Sequence, residues 1–108
     1  MRRLIRMYGR SVPLIIVASS SAYAADQIAA RLRRNGAVVY ATHSADGCLR
    51  VATSVAADLV LLDPALASKR LEQLLHAHPT SGHARIMHLS ATVMADLSHA
   101  TQSVLAAA

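Results

Sequence analysis

The side chains of this 108-residue chain best suited to chemistry sit directly after apolar runs. Asp63 follows Leu59–Leu62 (LVLL), Ser19, Ser20 and Ser21 follow Leu14–Ala18 (LIIVA), and Ser90 closes the run that starts at Ile86. A carboxylate in such a place either caps the turn that follows or contacts an ion or a partner. Three successive hydroxyls at the start of a helix either cap it or cradle an anion. No G-x-G-x-x-G fingerprint accompanies them, so capping is the stronger reading and a nucleotide-binding fragment stands only as the structural runner-up.

The other reactive groups point to less. Of six histidines, His76, His78 and His83 lie nearest one another, but residues two apart on a helix project in different directions. They read as solvated surface groups, and no metal or cofactor is expected. Cys48 is the single cysteine, which excludes an internal disulfide, fits a reducing compartment and reads as a small core hydrophobe. The formal net charge is +5, with Arg2, Arg3, Arg6 and Arg10 crowded into the first ten residues as candidate anion-binding groups. Nucleic acid is the polyanion they suggest, as the alternative to a protein partner, and such binding weakens steeply with salt.

These residues need elements to position them. Apolar residues make up 54% of the chain, with no Phe or Trp and three Tyr, so one domain with an aliphatic core is expected and aromatic binding anchors are scarce. Continuous β-branched or aliphatic runs at Leu14–Ala18 and Leu59–Leu62 read as buried strands, the first on both faces, and Ala37–Ala41 and Ile86–Leu89 read as the second and fourth strands. Between and after them, helical spacing covers Ala22–Asn35, Ser44–Ala56, Ala67–His78 and Thr92–Ala107. Arg31, Arg33 and Arg34 suit the last turn of the first helix, and Gly36 ends it. This alternation implies a parallel sheet with right-handed crossovers. The basic start and Ala22-Tyr23-Ala24 outline an export signal, but its apolar stretch is short and its cleavage would discard the first strand, so a cytoplasmic protein without a membrane span is expected.

In that order and spacing the chain resembles the receiver domain of response regulators. LVLLDPAL (Leu59–Leu66) resembles the third strand with its phosphoacceptor aspartate, here Asp63, and Gly36 lies 27 positions before it, as in the family. Ala41–Gly47 (ATHSADG) resembles the loop into the second helix, and Met87–Ala91 (MHLSA) the fourth strand with its hydroxyl switch residue, here Ser90. The resemblance implies a flavodoxin-like α/β fold with strand order 2-1-3-4, here lacking the family's fifth strand and helix. The crowded arginines set off a basic arm over residues 1–12 from a receiver-like domain over 13–108.

The departures bear on function. Ser19 and Ser20 stand where the family carries an acidic pair for a divalent cation. Two hydroxyls beside one carboxylate supply about one formal charge where the usual site supplies about three, and magnesium is reluctant to dehydrate for so little. No lysine follows Lys69, and the Met-Pro-x-x-x-Gly segment after the aspartate is missing. The expectation is a non-catalytic pseudo-receiver that works in signalling by binding a protein partner, with a residual phosphoacceptor at Asp63 as an alternative. Without a fifth helix, an apolar face over the strands should lie bare. A homodimer should cover it, using Met94, Leu97, Val104 and Leu105 of the last helix. Leu4, Ile5 and Tyr8 give the arm one apolar edge if it forms a short helix, and otherwise it is a disordered basic tail.

Overall fold

The structure, a computed structural model, describes residues 5–7 and 10–89. Its main sheet is four parallel strands, β3 (Leu14–Ala18), β4 (Val38–Thr42), β5 (Leu59–Leu62) and β6 (Arg85–His88), in the order β4-β3-β5-β6. Counted within that sheet the order is 2-1-3-4, as expected. Helices α1 (Ala22–Arg34), α2 (Ala45–Ser54) and α3 (Lys69–Ala77) form the crossovers.

The continuous apolar runs place side chains on both faces. Ile15, Val17, Leu59 and Leu61 join Ala25, Ile28, Ala29 and Leu32 of α1 in one core. Ile16, Ala18, Val60 and Leu62 join Cys48 and Ala52 of α2 and Leu71 and Leu75 of α3 in the other. All eight of those strand residues are at most 2% exposed, so each strand feeds two cores by simple alternation.

Each helix starts on a serine whose hydroxyl accepts an amide of the first turn. Ser21 accepts from Ala24 at 3.2 Å, Ser44 from Gly47 at 2.9 Å and Ser68 from Leu71 at 3.0 Å. The third cap explains why α3 begins at Lys69 and not at Ala67: the hydroxyl of Ser68 sets the first turn. At the end of α1, the Gly36 N–H donates to the Arg33 carbonyl and the Ala37 N–H to that of Leu32. That is the paired bonding of a glycine-terminated helix, and Gly36 has φ of 96° to make it.

Two buried polar groups stitch the lower part of the fold. The Asp58 carboxylate accepts the Leu14 N–H at 2.9 Å, its own N–H donates to the Leu14 carbonyl at 2.8 Å, and its carbonyl accepts the Arg85 N–H at 3.1 Å. The starts of β3, β5 and β6 are thereby aligned. The Ser81 hydroxyl, 3% exposed, lies 2.8 Å from the carbonyl oxygens of both Ala52 and Val55 and accepts the Ala57 N–H at 3.1 Å. At the neighbouring Gly82 a Cβ would come within 2.8 Å of the His78 carbonyl oxygen, so the turn closes tightly on the end of α3.

Three expectations need revision or fall outside the described residues. The arm is not a helix or a disordered tail where described: β1 (Ile5–Met7) and β2 (Arg10–Val12) pair antiparallel, with Ile5 opposite Val12 and Met7 opposite Arg10. An isolated helix this short is marginal, and the β-branched residues Ile5 and Val12 suit strands. The face expected to lie bare is closed within one chain, because Leu59, Leu61 and Leu89 are 0%, 2% and 3% exposed and pack in the α1-side core. Among the described residues the exposed large apolar side chains, Tyr23, Tyr40 and Leu74, lie elsewhere. The expected last helix, with Met94, Leu97, Val104 and Leu105, lies outside the described residues.

Replacing Ser81 by Ala strands the buried Ala57 N–H and removes the one O–H that the Ala52 and Val55 carbonyls share. Chemical denaturation should show a loss of about 1–3 kcal/mol, the usual cost of an unpaired buried group.

Candidate functional site

The site forms at the carboxyl end of the sheet, where β3 and β5 run out side by side. Ala18 is paired with Leu62, and the Asp63 N–H donates to the Ala18 carbonyl at 2.8 Å. The next residue of each chain segment, Ser19 and Asp63, therefore meet. On the other flank the Ser19 N–H donates to the Thr42 carbonyl at 3.1 Å, and the Thr42 hydroxyl donates to the Val17 carbonyl at 3.0 Å. The Ser19 backbone is thus held from both neighbouring strands.

The hydroxyls turn inward to the carboxylate. Ser19, 1% exposed, donates to Asp63 Oδ2 at 2.8 Å and accepts the Ser21 N–H at 3.2 Å. Exposed Ser20 reaches the same oxygen at 3.4 Å. Asp63 Oδ1 accepts the Ala65 N–H at 3.0 Å, while the Asp63 carbonyl accepts the N–H groups of Leu66 and Ala67. Asp63 therefore caps its own turn through one oxygen and holds the serines through the other. The division of labour among the serines is finer than expected: Ser21 alone caps α1, and Ser19 and Ser20 serve Asp63.

This setting stabilises the charged carboxylate. The Ala65 amide holds the Asp63 carboxyl below its ordinary value, with Ser19 and Ser20 adding to the effect and partial burial opposing it. The arrangement can keep one negative charge in place, but its nearest neighbours are neutral donors. Hydroxyls committed to a carboxylate are also turned away from an incoming anion. Burial pushes the Cys48 thiol up to about 11, so it stays protonated at neutral pH and remains a core side chain.

The other proposed residues do not join this site. Ser90, Arg2 and Arg3 lie outside the described residues, although Leu89, whose N–H donates to the Leu62 carbonyl at 2.8 Å, brings the chain to the level of Asp63. Arg6 and Arg10 take strand positions in β1 and β2. Among the described residues no group of three His, Cys, Asp or Glu is placed to hold a metal ion. His88 instead meets Glu72 at 3.0 Å, an exposed pair between β6 and α3 worth at most about 1 kcal/mol. Sequence reasoning missed Thr42 and Ala65 as the groups that position the site. Both act through backbone atoms or a strand-end hydroxyl, and the only signal for them is their place beside two strand ends.

Comparison with solved structures identifies the fold. A response regulator from Burkholderia pseudomallei, solved with a phosphorylated aspartic acid, a calcium ion and citrate, superposes with a TM-score of 0.64 at 21% identity over 88% of this chain and 65% of that one. The chain thus spans just under two thirds of that protein. The receiver domain of the hybrid histidine kinase CckA gives 0.67 at 16% identity, covering 87% of this chain and 97% of that domain. A CheY-like receiver domain protein from Methanospirillum hungatei JF-1 gives 0.59 at 21% identity, over 91% and 78% of the two chains. Comparison of the sequence alone finds no matching family and no matching curated protein. The chain has the fold of a response-regulator receiver domain. Among the described residues no helix is long and apolar enough to cross a membrane.

The lowered Asp63 value fixes the sign of a pH effect. Its contribution to stability is present above the ordinary carboxylate value of about 3.9 and is lost as pH falls through the lower, folded-state value. Urea melts across acidic pH should therefore show the parent gaining on Asp63→Asn as pH rises to about 5, then a constant gap.

Proposed function

We propose that this chain is a non-catalytic pseudo-receiver, a cytoplasmic signalling module that acts by binding a protein partner and not by phosphotransfer. The observation that carries the reading is the Ser19–Asp63 hydrogen bond of 2.8 Å, in which an uncharged hydroxyl stands at the position where receiver domains place a cation-binding carboxylate. Phosphotransfer to a carboxylate needs a cation to offset the charge that builds on the phosphoryl oxygens. Here Ser19 and Ser20 leave Asp63 as the only acid of the trio, and its oxygens already accept internal donors. The similar Burkholderia response regulator was solved with a phosphorylated aspartic acid and a calcium ion, the pairing of acid and cation that Ser19 and Ser20 do not favour here. A closed Asp63 would fix the module in one state, and its regulation would then lie with its partner.

The test is intact-mass spectrometry after incubation with a small phosphodonor and magnesium. The mass should stay that of the unmodified chain; a substantial phosphoryl adduct that disappears in Asp63→Ala would overturn the reading.

A homodimer belongs to the same reading. The bare-face argument for it no longer holds, but among the described residues β6 pairs on one side only, with β5. An open edge of N–H and C=O groups is a template for a second strand. Light scattering after gel filtration at micromolar concentration should give twice the mass of one chain, and a monomer mass would remove self-association from the proposal.

A further inference from the structure

Arginines gather at the amino end of the sheet, and the exposed acids of the described residues lie away from it. The last turn of α1 carries Arg31, Arg33 and Arg34, and it finishes beside the start of β4, where the Val38 N–H donates to the Pro13 carbonyl. Arg85 opens β6 at the same amino end of the sheet. It is partnered with Leu59, whose side chain belongs to the α1-side core, so Arg85 lies on the sheet face that α1 covers. Arg10, at the start of β2, precedes Pro13 by three residues and so stands within about 11 Å of this end by chain reach alone. Arg33, Arg34 and Arg85 are exposed, and Arg33 is steadied by donating to the Val39 carbonyl at 2.7 Å.

The acids lie elsewhere. Among the described residues Asp46, Asp63 and Glu72 sit at the carboxyl ends of strands or in the first turns of the helices that follow, and Asp26 is in the first half of α1. Asp58 is the exception, and it is buried with its carboxylate on the Leu14 amide.

We propose that the amino end of the sheet is a docking surface for the phosphate backbone of duplex nucleic acid, independent of sequence. Its cations are all arginine, whose planar fork matches phosphate oxygens, while the chain's one lysine, Lys69, is at the opposite end. From β4 to β6 the end spans three strand spacings, about 14 Å, and a duplex presents a phosphate about every 3.4 Å of axis on each strand. An anionic membrane would want an apolar anchor, and among the described residues the exposed large apolar side chains, Tyr23, Tyr40 and Leu74, lie in the first turn of α1, mid-β4 and α3.

Fluorescence anisotropy of a labelled mixed-sequence DNA duplex, titrated with the full chain, tests this. Binding should saturate at about 50 mM salt and weaken at least tenfold by about 200 mM. Arg34→Glu with Arg85→Glu should weaken low-salt binding at least about tenfold and flatten the salt slope by roughly two. Lys69→Glu with Arg70→Glu changes net charge equally at the other end and should stay within about threefold of the parent. Arg34→Gln with Arg85→Gln, a gentler change for folding, should move affinity in the same direction by a smaller factor. Absent binding at low salt, equal losses from the two charge-reversed pairs, or tighter binding to polyglutamate or phosphatidylserine vesicles than to the duplex would each overturn the proposal.

Discussion

Everything in this fold leans on β3, five residues with neighbours in every direction. It pairs with β4 on one edge and β5 on the other, and its side chains enter both cores. A strand in that position tolerates no polar side chain and no shift of register, because one step would exchange the two cores. Its ends are consequently the most sharply located points in the molecule. Leu14 is fixed by Asp58 at one end, and Ser19 is delivered to Asp63 at the other.

The chemistry of the site follows from what β3 delivers. A carboxylate brought to the same place would set two negative charges side by side, a pair that needs a cation or a shared proton between them. A hydroxyl brought there donates a hydrogen bond and needs no third party. The same backbone scaffold thus supports either an ion-dependent centre or a self-satisfied one, and the choice lies in two side chains. The site's neutrality toward its own aspartate and the fold's intact geometry are compatible for that reason.

Much of this was legible in the residues. The runs LIIVA and LVLL announced strands buried on both faces, and Gly36 marked the end of α1 through the one backbone conformation that glycine adopts freely. Asp63 was legible because it follows such a run directly. Thr42, Asp58 and Ser81 were not, since each works by meeting backbone atoms 24 to 44 positions away and nothing local betrays that. The β1–β2 ribbon escaped for another reason. Three-residue strands carry too few alternations to be told from a helical edge, and the pairing that decides between them is itself the missing information.

The register of β3 also orders events on the ribosome. Val38, the partner of Leu14, is made 24 residues after it, but Leu59, the partner of Ile15, follows its own partner by 44. At about 5–20 residues per second, the central strand waits roughly 2–9 s for its second neighbour. Through the last 21 residues of that interval, about 1–4 s, the nascent chain holds a half-paired, fully apolar strand whose free edge invites other chains. Synthesis is therefore the stage at which this small protein is most exposed to misassembly, and a chaperone that shields one strand edge would serve it better than one that encloses the finished domain.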